Sequence, residues 1–170
     1  FLFEGPRRMQ IARRSLAALQ QASDAVIVLP NQRLAEWVPD GTPVQTAFQM
    51  SDHLVGASLR TLWKLLTSPA ILPLDFSDLR RLAEDHSAVL AVATVETAGE
   101  LRVESALDEL AGSPLLNHGA VLAASPGVLA AVSGGSSVTL RELNALAHGL
   151  RTRIRSDATL TLGALVDEVL

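Results

Sequence analysis

The chain has 170 residues, 48% hydrophobic and 19% charged, with a formal net charge of −4 at pH 7. That is enough apolar material for one packed domain or two small ones, and it excludes a disordered chain. The acidic balance leaves no electrostatic footprint for nucleic acid, and no apolar run approaches the ~18 residues of a membrane span.

The absence of cysteine removes disulfides and thiolate metal sites and fits the cytoplasm. The first residues, FLFEG, carry no signal-peptide pattern, and the chain ends abruptly, so a piece of a longer protein is expected.

Phe1 to Phe3 reads as the tail of a strand. Glu4-Gly5-Pro6 turns into a helix with Pro6 near its first position. Met9, Ala12, Leu16 and Leu19 form an apolar stripe on that helix, and Arg7, Arg8, Arg13 and Arg14 lie off it. Ala25 to Leu29 is a short unbroken apolar run, which predicts a buried strand of a parallel sheet. Pro30-Asn31 ends it at the strand's carboxyl end, where open α/β sheets bind ligands. Residues 32–41 read as a helical turn and a loop around Pro39-Asp40-Gly41.

Thr42 to Asp78 organises the rest. Thr42, Pro43 and Gln45 predict a capping box with proline at the first helical position. Phe48, Ser51, Val55, Leu59, Leu62 and Leu66, with Leu54, Ser58 and Leu65 beside them, give one broad apolar face along roughly 24 residues, about 36 Å of helix. A helix of this kind is expected to have protein on more than one side. Ser68-Pro69 and Pro73 stop it and stiffen a loop, and Asp75 and Asp78 open the next helix, which finishes over Leu79 to Asp85.

Beyond it, Ala88 to Val95 reads as a strand and Gly99 to Ala111 as a helix closed by Ser113-Pro114. Val121 to Ala124 and Val128 to Val132 read as strands broken by Ser125-Pro126-Gly127. Gly134 to Ser137 is a turn. Thr139 and Glu142 form a capping box at the head of a helix reaching about Ile154, and Ala158 to Leu162 is a strand. No repeat of 20–50 residues is present. The four histidines, His53, His86, His118 and His148, share no metal-ligand spacing.

Several residue sets carry chemistry beside a purely structural alternative. Glu4 and Arg8 flank a strand-to-helix turn, as either anion and hydroxyl contacts or a helix-start acid with a solvated Arg. Asn31 offers an amide that suits a purine edge, or is a turn residue. Phe48 and Asp52, four apart, share a helix face, as a stacking ring and an acceptor or as core and dipole partner. Asp75 and Asp78 are either a helix cap or a pair of acids aimed out of a stiff loop.

The segments FLFEGPRRMQIA, AVIVLPNQRL, TPVQTAFQMSDHLV, LDFSDLR, AGELRVESAL, GSPLL and GVLAAVSGGSSVTLREL resemble those of FtsZ, the bacterial tubulin-like division GTPase. They occur in that family's order and spacing across nearly the whole chain. The family's GGGTGTG-type phosphate loop is absent from this chain. The resemblance implies an α/β, tubulin/FtsZ-like fold: the end of a parallel-sheet nucleotide-binding domain, a long central helix and an α+β second domain. The boundaries implied are 1–41, 42–68 and an incomplete 69–170.

It further implies GTP/GDP and Mg²⁺ held mainly through phosphates. Glu4, Arg8, Asn31, Phe48 and Asp52 would contact nucleotide, and Asp75 and Asp78 would act catalytically on the nucleotide of the next subunit. The implied partners are other copies in a filament, with division-ring and membrane-anchor proteins for the longer chain, and neither nucleic acid nor direct membrane contact. The implied location is cytoplasmic, at the division site.

Two departures stand out. His53 replaces the second polar Asp or Asn that many relatives carry after Asp52. Pro73 replaces the Asn of a GLINLDFAD-like loop, and Ala70 its Gly; proline has neither a side-chain amide nor an N–H. These favour, as the alternative, a non-hydrolysing FtsZ-related filament or scaffold paralogue.

Overall fold

A computed structural model describes residues 4–83 and 88–166. The expected strand at residues 1–3 lies outside the described residues, as do His86 and the end of the helix expected to reach Asp85. The helices are α1 (Pro6–Ala22), α2 (Asn31–Trp37), α3 (Val44–Thr67), α4 (Phe76–Leu82), α5 (Arg102–Gly112), α6 (Ala120–Ala124) and α7 (Leu140–Arg151). The strands are β1 (Ala25–Ile27), β2 (Ala88–Leu90), β3 (Gly127–Gly134) and β4 (Thr159–Val166), with a 3₁₀ turn at Pro114–Leu116.

The strands form two parallel pairs. β1 runs beside β2, Ala25 opposite Ala88 and Ile27 opposite Leu90. β3 runs beside β4 from Gly127↔Thr159 to Gly134↔Val166. Parallel strands need a long crossover, and α7 supplies it between β3 and β4. Side chains alternate across this second pair. Leu129 and Leu165 join Leu65, Leu74, Leu62 and Leu66 of the α3 side. Val128 and Leu160 join Leu116, Leu122, Ile154 and Leu110. The β3–β4 pair is therefore covered on both faces, as a parallel sheet requires.

The long helix is as expected in length, 24 residues, and carries two layers: α2 packs on it, and so do β3 and β4. Ser51, Leu54 and Leu65 are buried along it. Its cover is one-sided, however. Leu59 and Trp63 point away from those layers and are largely exposed, Trp63 at 64%. Its start also differs from the predicted capping box. The Thr42 hydroxyl donates to the Pro39 carbonyl at 2.5 Å, so it is spent on closing the preceding turn; Pro43 takes the N-cap position with no side-chain cap bond.

Other boundaries move for local reasons. The strand expected over 88–95 stops at Leu90 because its partner β1 is only three residues long. The chain then leaves for α3, where the Ser58 and Thr94 hydroxyls lie 2.8 Å apart. β1 itself is half-buried, with Ile27 exposed. Val121 to Ala124 is helix α6, not strand: Asn117, His118 and Gly119 all have positive φ, which turns the chain sharply into an Ala-rich segment of high helix propensity. The helix expected from Gly99 is α5, which starts only at Arg102 and leaves Leu101 exposed at its N-cap. α7 ends at Arg151, and β4 runs on to Val166.

The Thr139–Glu142 capping box is present as predicted. Glu142 does more than cap. Arg102 Nε donates to its Oε1 at 2.6 Å and Nη2 to its Oε2 at 3.0 Å, while Nη2 also reaches the Ser137 carbonyl. One guanidinium thus clamps α5 to the head of α7 in a bidentate pair. The Arg102 hydrogen bonds first, then the Thr139 N–H and hydroxyl, hold the Glu142 carboxyl down to about 2. A carboxylate depressed in this way stabilises the fold fully above its ordinary value and loses that contribution as pH falls through the folded value. Glu142→Gln should therefore lower the urea midpoint at pH 7, and the gap to the parent should close between about pH 4.5 and about pH 2.

Gly163 marks the tightest approach of the sheet to the α3 side. A Cβ there would lie 2.6 Å from Leu74 Cγ and 3.2 Å from Leu65 Cδ1. Gly163→Ala should cost about 1–3 kcal/mol of stability, as overpacking does, read as a lower denaturant midpoint at unchanged m-value.

Candidate functional site

The loop between α3 and α4 is fixed from both sides. Leu72 exchanges two backbone hydrogen bonds with Ala164 of β4, at 3.1 and 3.0 Å. Leu74, 4% exposed, inserts between Leu65 and Leu165. Pro73 stands between these two anchors with its φ fixed by its ring. Ile71, Asp75 and Phe76 are exposed around them. The loop therefore presents a defined outward surface to solvent.

Asp75 and Asp78 form a complete capping box on α4. Asp75 Oδ1 accepts from the N–H of Ser77 at 2.7 Å and of Asp78 at 3.1 Å. Asp78 Oδ2 accepts from the Asp75 N–H at 3.0 Å, and Arg81 lies 3.7 Å from its other oxygen. The structural role is thus realised in full, on a surface where the Asp75 carboxylate remains exposed. The Ser77 hydroxyl first, then the backbone N–H groups of Asp78 and Ser77, hold the Asp75 carboxyl below its ordinary range.

At the other end, Arg8 Nη1 reaches Glu4 Oε1 at 2.7 Å across the first turn of α1. Asn31 is the first residue of α2, directly after Pro30 and four residues beyond the end of β1 at Ile27, and is half-buried. Phe48 and Asp52 share one exposed face near the start of α3. The described residues thus bring together Glu4 with Arg8, Phe48 with Asp52, and Asp75 with Asp78. His53 turns a different way: it lines a cavity of about 450 Å³ with Trp37, Gln49, Met50, Thr94 and Glu96. Among the described residues no group of three or more His, Asp or Glu could hold a metal ion, and no helix is long and apolar enough to cross a membrane.

From the Phe48–Asp52 face to Leu65, against which Leu74 of the acid-bearing loop packs, the helix rises about 1.5 Å per residue, so the two lie roughly 20–25 Å apart along its axis. The two acids thus stand at the opposite end of the helix from the Phe48–Asp52 face of their own chain.

Leu72, Leu74, Gly163 and Ala164, which aim the acid-bearing loop, went unrecognised in the sequence. Gly163 was the legible one, since an isolated glycine inside a strand pattern signals close backbone approach.

A mixed α/β fold with a long helix carrying a pinned acidic loop at its carboxyl end is that of the tubulin-like class. Within that class the chain belongs to the FtsZ family. Residues 87–170 match the model described as FtsZ family, C-terminal domain. Over its full length the chain is 34% identical to "Cell division protein FtsZ 1" of Rhizobium meliloti (strain 1021) and 32% identical to "Cell division protein FtsZ" of Wolbachia pipientis. It spans 28% and 53% of those two relatives.

Among solved structures it superposes on the "FtsZ dimer, empty" of M. jannaschii with a TM-score of 0.85 at 29% identity, covering 100% of this chain and 48% of that one. An FtsZ point mutant of M. jannaschii matches with a TM-score of 0.82 at 29% identity, covering 99% and 49%.

The cap predicts a pH-dependent effect of its removal. Asp75→Ala should lower the melting temperature at neutral pH, and the loss should shrink as pH falls below the ordinary aspartate range, because protonation then removes the same cap from the parent.

Proposed function

We propose that this chain is part of a division protein that binds GTP, polymerises head to tail and hydrolyses GTP where two copies meet. In this reading residues 1–41 close a GTP-binding domain, 42–68 form the central helix, and 69–170 carry the catalytic loop. Glu4 and Arg8 serve the ribose and phosphate side of the nucleotide. Asn31, Phe48 and Asp52 serve the guanine, by amide pairing, stacking and acceptance from its N–H groups. Mg²⁺ would be held chiefly by the phosphates. Asp75 and Asp78 would orient the attacking water and the cation of the neighbouring copy's nucleotide.

The observation that supports this best is the separation along α3. Base-facing groups lie at one end and acids on a pinned loop at the other. Phosphoryl transfer depends mainly on positioning and charge management. Acids brought by a second subunit can therefore complete a site that is idle in the monomer. A contact between unlike surfaces also propagates as a filament instead of closing on itself. The expected setting is the cytoplasmic division site, with division-ring and membrane-anchor partners.

A second reading, a filament-forming paralogue without turnover, has a specific observation behind it. Pro73 offers no amide for water or phosphate, and both aspartates are already engaged in their own cap.

GTP turnover of the full-length protein against protein concentration separates the two. Turnover that rises cooperatively with concentration, falls steeply in Asp78→Ala and rises in Pro73→Asn supports hydrolysis across the contact. Filaments that release no phosphate support the paralogue. An unchanged kcat in Pro73→Asn refutes the role given to the missing amide.

A further inference from the structure

We infer that α1 carries a second self-association surface, an arginine face that takes the acidic α5 side of another copy. This rests on the filament reading above and adds to it a contact between filaments.

The charge is sharply partitioned. Residues 5–23 contain four arginines and no acid, whereas the rest of the chain has 18 acids against 10 bases. No residue of α1 is buried. Arg8 is taken by Glu4, but Arg7, Arg13 and Arg14 are exposed and make no ion pair among the described residues. Arg7 and Arg14 stand seven residues apart, two turns or about 10 Å, on one side of the helix. That side lies opposite the stripe of Met9, Ala12, Leu16 and Leu19. A layer packed on the apolar stripe would therefore leave the arginines outward.

The complement is on the same chain. Residues 96–109 hold five acids and a single base, and that base, Arg102, is consumed by Glu142. Asp108 is bonded to Arg153. Glu100, in the turn just before the Leu101 N-cap, and Glu104, in the first turn of α5, are exposed with no ion pair among the described residues. A side carrying Arg7 and Arg14 unpaired thus meets its complement in the unpaired acids of every neighbouring copy, which commits the occupant to a second copy by charge. Pairs between exposed charges are individually weak and are screened as the Debye length falls from about 10 Å at about 0.1 M salt to about 3 Å at about 1 M. The contact should be additive along a filament and salt-sensitive.

The test is a charge swap in the full-length protein with GTP. High-speed pelleting reads all filaments, and low-speed pelleting reads only laterally associated ones. Arg7→Glu with Arg14→Glu should cut the low-speed pellet severalfold while leaving the high-speed pellet and turnover in place. Glu100→Arg with Glu104→Arg should do the same, and all four together should restore the low-speed pellet. An unchanged low-speed pellet in either double variant, or no restoration in the fourfold one, overturns the contact. Should the parent form no filaments, the head-to-tail reading fails alone. The swap is then read as salt-sensitive self-association in sedimentation velocity, with the same criteria.

Discussion

The exchange of two backbone hydrogen bonds between Leu72 and Ala164 is the constraint on which the acid-bearing loop depends. It sews the segment after α3 to the edge of β4, and it works because Gly163 lets Leu74 settle against Leu65 directly beside it. Remove that approach and Asp75 and Asp78 would still cap α4, and α4 would still pack on β3, but the loop that joins it to the long helix would lose its anchor on β4. The sheet, the helix and the loop are thus one mechanical unit, with the hydrophobic cluster of Leu65, Leu74 and Leu165 as its rivet.

The long helix gives this unit its reach. Its amino end carries Phe48 and Asp52 on an exposed face, and its carboxyl end runs into the pinned loop. In the head-to-tail reading proposed above, such a spacer would let one end of a subunit complete the other end of its neighbour. The cover on α3 is uneven: α2 and the β3–β4 pair take one side, while Leu59 and Trp63 stay bare in this chain, which spans about half or less of the FtsZ relatives compared above. The clamp of Arg102 on Glu142 performs the corresponding task further along, fixing α5 against the head of α7, with Leu107 seated on Gly149 further down the same pair.

Much of this was legible in the residues. The spine helix follows from apolar spacing, its end from Ser68-Pro69, and the caps at Asp75 and Thr139 from acids three residues on. What failed did so where a distant partner decides. Thr42 looks like a cap until the Pro39 carbonyl takes its hydroxyl. Ala88 to Val95 looks like one strand until only three residues of β1 are there to pair with it. Val121 to Ala124 has strand composition, but three positive-φ residues before it turn the chain into a helix. For the candidate site, spacing alone marks Asp75 and Asp78 as a cap and Phe48 and Asp52 as one helix face, and only the FtsZ resemblance singles them out, whereas the Leu72–Ala164 pairing spans more than 90 positions and leaves no local mark beyond one glycine.

The self-contained cap on α4 has a consequence for any encounter through this loop. Its carboxylates and N–H groups are already reconciled with one another, and Pro73 removes a further degree of freedom, so little disorder is left to be given up on contact. Such a tip behaves as a ready-cut key: its entry is governed by collision and orientation, and the time it stays is set by how well the receiving lock matches a shape that will not adapt.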